Sequence, residues 1–160
     1  MDNITMQLLT AFLGSFGFAL VFRVSRERLL PASLGGLLSW AVFLLVEPLA
    51  EQAVPCYFIA SVVVTIYAEI LARLLRCPAT VFLVTGAVPL IPGGSLYRTM
   101  SCIMARDYDA FSSQGFLTVL YAMAIAVGML FPTSVFQLLR RIRVLMEKNK
   151  SKEHRRAHHE

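Results

Sequence analysis

Residues 89–94 read Pro-Leu-Ile-Pro-Gly-Gly inside a stretch, 80–100, that is otherwise as apolar as a membrane span. Pro89 and Pro92 each delete a backbone donor and clash with the preceding turn, and Gly93 and Gly94 loosen the chain further. Lipid does not tolerate exposed broken backbone, so the break calls for protein or a water-filled cavity around it and marks a site or pathway within the membrane. The chemistry on offer is anion binding. Unpaired N–H groups around Gly93, Gly94 and Ser95 would form the positive terminus of the half-helix that follows, suited to a carboxylate. Arg98, one turn beyond Gly94, supplies a cation if it faces the cavity and snorkels to the outer surface if it does not. The candidate substrate-binding set is therefore Pro89, Pro92, Gly93, Gly94, Ser95 and Arg98, set against the plainer reading of a proline kink packed between helices.

A second pair of groups lies close to apolar sequence. Glu69 follows 17 uncharged residues, 52–68, which puts it about 25 Å along a helix from the outer face. Arg73 stands four residues later on the same face, so an i,i+4 ion pair is expected, with a gate or proton-linked carboxylate as the functional alternative. Catalytic and cofactor signatures are missing: the sequence has no HExxH, GxSxG, P-loop or Rossmann glycine pattern, and an enzyme is not expected. No metal site is expected either. Cys56, Cys77 and Cys102 are odd in number and lack metal-ligand spacing, and His154, His158 and His159 all lie in a polar tail.

The elements that must position these groups are membrane helices. Mean hydropathy is +0.65 and 57% of the 160 residues are hydrophobic. Runs 4–22, 29–46, 52–68, 77–97 and 110–139 contain no Asp, Glu, Lys or Arg, and each approaches or exceeds the roughly 17–25 residues that cross a bilayer. The expected fold is an all-α membrane protein, a bundle of five transmembrane helices with the fourth broken. Its spans are 4–22, 31–47, 55–75, 78–104 (broken near 89–94) and 113–139. Pro31 is expected in the first turn of span 2, Gly14, Ser15 and Gly17 at a close helix contact, and Pro132 at a kink of span 5. Residues 1–143 form the membrane domain, and 144–160 a basic, disordered cytoplasmic tail.

The net charge of +5 invites a nucleic-acid reading, which its location removes. Of the 15 Lys and Arg residues, 13 fall at 23–28, 73–76 and 140–156, which five spans place on one side; only Arg98 and Arg106 fall on the other. The positive-inside rule then puts the N-terminus outside and the C-terminus in the cytoplasm, with the basic tail against anionic lipid. No binding module accompanies the charge, and no nucleic-acid partner is expected.

Residues 69–100, EILARLLRCPATVFLVTGAVPLIPGGSLYRTM, resemble the signature region of the threonine/serine exporter family, and more narrowly its small, YjjB-like subunit corresponding to the C-terminal half of fused exporters. Glu69, Ala72, Arg73 and Pro78 match an E-x-x-A-R segment and its sequel. Pro89, Leu90, Pro92 and Gly93 match P-L-V-P-G, with Ile91 in place of valine; Asp107, Gly115, Ala126 and Gly128 fit the last span more loosely. The resemblance implies a secondary exporter of threonine, serine or related carboxylates in the bacterial inner membrane, without a cofactor, working with a larger five-span subunit. A dicarboxylate (succinate-like) exporter subunit and a non-transporting scaffold are the alternatives. A half with its N-terminus outside is the inverted counterpart of one with its N-terminus inside, and such pairs build a midplane site between them.

Overall fold

The computed structural model describes residues 2–157, with side chains for 3–142 and Met146. It is helical: α1 Asp2–Val21, α2 Arg26–Val46, α3 Ala53–Leu74, α4 Thr80–Ala87, α5 Gly93–Met104 and α6 Tyr108–Ala157, with 3-10 turns at Glu47–Leu49 and Val88–Leu90. Four helices are long and apolar enough to cross a membrane. Thr80–Leu90 and Gly93–Met104, bent by 50° at the break, pass the same length and hydropathy test only as a pair, which is a broken fifth span or a re-entrant loop.

The structure differs from expectation at two helix ends and at one helix contact. The second helix starts at Arg26, and Pro31 lies inside it. Charged Arg26, Glu27 and Arg28 fit a helical turn beyond the hydrocarbon, so the end of the apolar run does not end the helix. The last helix passes through Pro132 and continues to Ala157, across the residues expected to form a disordered tail. No glycine or proline follows Pro132, and the 144–157 segment is rich in Leu, Met, Glu, Lys and Arg, all good helix formers. Gly14 and Gly17 were expected at a helix contact, but both have open space where a side chain would project, and only Ser15 of that group is fully buried.

Inside a bilayer, apolar contact alone drives little association, because lipid tails are as apolar as leucine; close packing and hydrogen bonds, on the order of 0.6 kcal/mol each, hold helices together. The bundle follows that rule. Ser15 of α1 sits against Gly36 of α2, Gly35 of α2 against Gly86 of α4, and Gly128 of α6 against Ser61 and the Phe58 carbonyl of α3. Hydroxyls and an indole cross between the helices. Tyr67 Oη donates to Pro31 O at 2.8 Å, Ser39 Oγ to Gly86 O at 2.8 Å, and Trp40 Nε1 to Gln7 Oε1 at 3.2 Å. A run of rings, Trp40, Phe43, Tyr57 and Tyr121, with centroids 4.8–4.9 Å apart, ties α2 to α3 and α6.

The helices end without glycine. Arg23, Arg76 and Arg106 occupy the left-handed region at φ 52, 49 and 58, each just past a helix end. In each case the next amide reaches back five residues: Val24 N–H to Ala19 O, Cys77 N–H to Ala72 O and Asp107 N–H to Cys102 O, all at 3.0 Å. The left-handed conformation costs an L-residue roughly 1–2 kcal/mol. A cation at a helix C-terminus and at the membrane surface offsets part of that.

The glycine contacts generate a direct contrast. A Cβ on Gly36 would collide with Ser15 and press on Pro89, and one on Gly128 would collide with Ser61. Gly36→Val and Gly128→Val should each lose about 1–3 kcal/mol of stability. Gly14→Ala should be unchanged within about 0.5 kcal/mol. Denaturant unfolding of the purified protein in detergent checks the order, and equal loss in all three would refute this packing scheme.

Candidate functional site

The break is built in two steps. Val88–Leu90 tighten into a 3-10 turn, with Ile91 N–H donating to Val88 O at 3.2 Å, and Leu90 is fully buried beside Phe43, Cys56, Ala60 and Val64. Beyond Leu90 the chain turns outward. Ile91 is extended (φ −61, ψ 120) and Pro92 takes φ −77, ψ 57, the geometry of an inverse γ-turn, closed by Gly93 N–H to Ile91 O at 2.7 Å. Leu96 N–H then donates to Pro92 O at 3.0 Å as the first helical bond of α5. The amides of Gly94 and Ser95 stand in that first turn with no preceding helical carbonyl to accept them. Of the three amides expected to be free, Gly93's is used in the turn.

The upstream stump is satisfied in part by protein. Ser39 Oγ of α2 reaches both Gly36 O (2.9 Å) and Gly86 O (2.8 Å), the latter a carbonyl in the last turn of α4. Thr85 Oγ1 folds back on Val81 O at 2.9 Å. Pro89 is half-buried, and its ring and Ser15 flank Gly36 together. Ser15 Oγ is buried there and, among the described residues, is the one buried side-chain polar atom without a partner. In the sequence Ser15 is only a small residue; its free hydroxyl beside the break emerges only when α1 and α2 are packed.

The downstream half-helix is different. Among the described residues α5 packs along α6, through half-buried Ser95, Thr99 and Cys102, and Thr99 Oγ1 lies 3.1 Å from Thr118 Oγ1. It has no buried residue. Gly93, Gly94 and Arg98 are exposed, and a side chain at either glycine would meet nothing within 4 Å. Gly94 and Arg98, four residues apart, share one face of α5. The candidate set thus divides: Pro89 is embedded in the bundle, while Gly94, Ser95 and Arg98 line the start of an uncovered half-helix.

Glu69 and Arg73 form the expected ion pair, with Arg73 Nη2 3.2 Å from Glu69 Oε2, and Arg73 Nη1 donates to Glu69 O at 3.2 Å. The guanidinium also lies 4.3 Å from the ring centroid of Phe136 on α6, a contact that no local pattern announces. This pair borders a pocket of about 680 Å³ at the start of α4, which Arg76, Cys77, Gln137 and Arg140 also line. The pair and the break lie at opposite ends of α4 and its 3-10 turn, 11 residues or about 16 Å apart along the helix. They are two places, not one. Among the described residues no group of three His, Cys, Asp or Glu gathers to hold a metal; His158 and His159 lie outside those residues, and the side chain of His154 is not described.

A broken span with its first half locked into a bundle and its second half open is a transporter-like arrangement. Comparison with known proteins agrees with it: the family description Threonine/Serine exporter, ThrE, matches residues 7–135, which takes in the break, Glu69 and Arg73 and ends within the last helix. No curated protein and no solved structure matches the chain. With four-fifths of its length matched, the chain belongs to the threonine/serine exporter family of membrane transporters.

Proposed function

We propose that this chain is the small subunit of a secondary exporter that moves threonine, serine or a related small carboxylate out of the cell. Its substrate site lies at the broken fourth span, and a larger five-span subunit closes it. The carrying observation is the open start of α5. Gly94 and Ser95 present amides with no helical acceptor, Arg98 stands one turn on, and nothing among the described residues covers them. Such a terminus suits a substrate carboxylate, and a half-helix exposed on one side suits an interface between two halves. The charge distribution supports an N-terminus outside and a C-terminus in the cytoplasm of the bacterial inner membrane.

Two outcomes are expected. In the co-expressed pair, Gly93→Leu and Gly94→Leu should reduce threonine and serine efflux by at least about tenfold while assembly persists, because a larger side chain there obstructs a ligand without touching this chain's own packing. Efflux per assembled complex is the measurement, and wild-type rates in both variants would reduce the break to a kink. The same assay run with succinate separates the amino-acid reading from the dicarboxylate one. For orientation, a reporter active only in the cytoplasm should work when fused after Glu160 and fail when inserted at Glu51; the reverse pattern overturns the topology.

A further inference from the structure

The pocket at the start of α4 has a composition that the ion pair alone does not explain. Three guanidinium groups, Arg73, Arg76 and Arg140, border its roughly 680 Å³, against one carboxylate, Glu69. That volume is within the roughly 300–1,000 Å³ of small-molecule sites. Arg73 is already held, by Glu69 on one side and the face of Phe136 on the other. Arg76 and Arg140 have no ion-pair or hydrogen-bond partner among the described residues, although both border the same space as the Glu69 carboxylate. Arg76 is fixed by its place in the backbone turn after α3, in the left-handed conformation that Cys77 N–H closes on Ala72 O. Gln137 adds an amide that can donate or accept.

We infer that this pocket is a docking vestibule for an α-amino acid on its way to the break, with Arg76 and Arg140 taking the carboxylate and Glu69 facing the ammonium. The inference rests on the exporter reading for the direction of travel, and on the pocket alone for the chemistry. Two unpaired guanidiniums beside a partly neutralised pair make a net positive hollow. Planar guanidinium donors match a carboxylate's two oxygens, and a single carboxylate is what an α-ammonium requires. The pocket lies among the basic segments 73–76 and 140–156, the side that the positive-inside rule assigns to the cytoplasm, where an exporter must collect its cargo. Pro78 and Ala79 form part of its wall, and α4 leads from there to the break. An anionic lipid headgroup presents the same charge to Arg76 and Arg140 but leaves the Glu69 carboxylate unused.

Cys77 lines the pocket and reports on it. The full chain, with Cys102 replaced by serine and buried Cys56 retained, is placed in nanodiscs of neutral phospholipid, and the rates of Cys77 modification by small anionic and cationic methanethiosulfonates are compared. After normalising to free cysteine, the anionic reagent should react roughly tenfold faster, and Arg76→Gln or Arg140→Gln should remove most of that preference while Arg140→Lys keeps it. Serine and threonine should slow the modification, and Glu69→Gln should weaken that protection. Equal rates for the two reagents, or no protection by either amino acid, would overturn the proposal. So would protection by added anionic lipid in place of amino acid. Because the readout is thiol chemistry in this chain alone, it fails or holds independently of efflux through the break.

Discussion

Every backbone N–H and C=O in a bilayer needs a partner, and at the break of the fourth span this chain obeys that constraint unevenly. Upstream, the ladder is closed by tight turns and by a hydroxyl borrowed from α2 through Ser39. Downstream, the first turn of α5 keeps amides that no described residue satisfies. The rest of the fold arranges itself around that asymmetry. Leu90 anchors the end of the closed half in the core, the paired glycines Gly35 and Gly86 let α4 approach α2 closely enough for Ser39 to reach, and among the described residues the open half packs chiefly on α6.

Function follows from the same asymmetry. A fully satisfied break is a kink, whereas a half-satisfied one is an acceptor site for a ligand or a partner. The two outcomes are compatible, since a carboxylate at the Gly94 and Ser95 amides and a helix from a second subunit over the free face of α5 would together restore what lipid demands. The pocket at the other end of α4 adds a second place with the charge of an amino acid's complement, one helix length from the first.

Much of this was legible in the sequence, for physical reasons. Charge-free runs delimit spans because lipid excludes ions, the two prolines at 89 and 92 mark the break because they cannot donate, and Glu69 with Arg73 pair because four residues make one helical turn. What was not legible depends on long-range packing or on local compensation. Phe136 and Arg140 come to Arg73 only through the packing of α3 on α6. Ser15 is an ordinary small residue until Gly36 and Pro89 close around it. Arginines at 23, 76 and 106 take a backbone conformation usually left to glycine, because membrane-surface and helix-end electrostatics favour a cation there. The second helix starts at Arg26, ahead of Pro31, and the last runs on past residue 143, since proline is tolerated early in a helix and charge ends the hydrocarbon but not the helix.

The central claim is that the start of α5 faces water and substrate inside the assembled exporter, although it lies within the span of the membrane. Gly94→Cys, which this chain accommodates without a clash, places a thiol there. In the co-expressed pair, with Cys77 and Cys102 replaced by serine, a membrane-impermeant charged thiol reagent should modify that cysteine, and threonine should protect it. A cysteine inert to the reagent from both sides of the membrane, or modified at the same rate with and without threonine, would contradict the account.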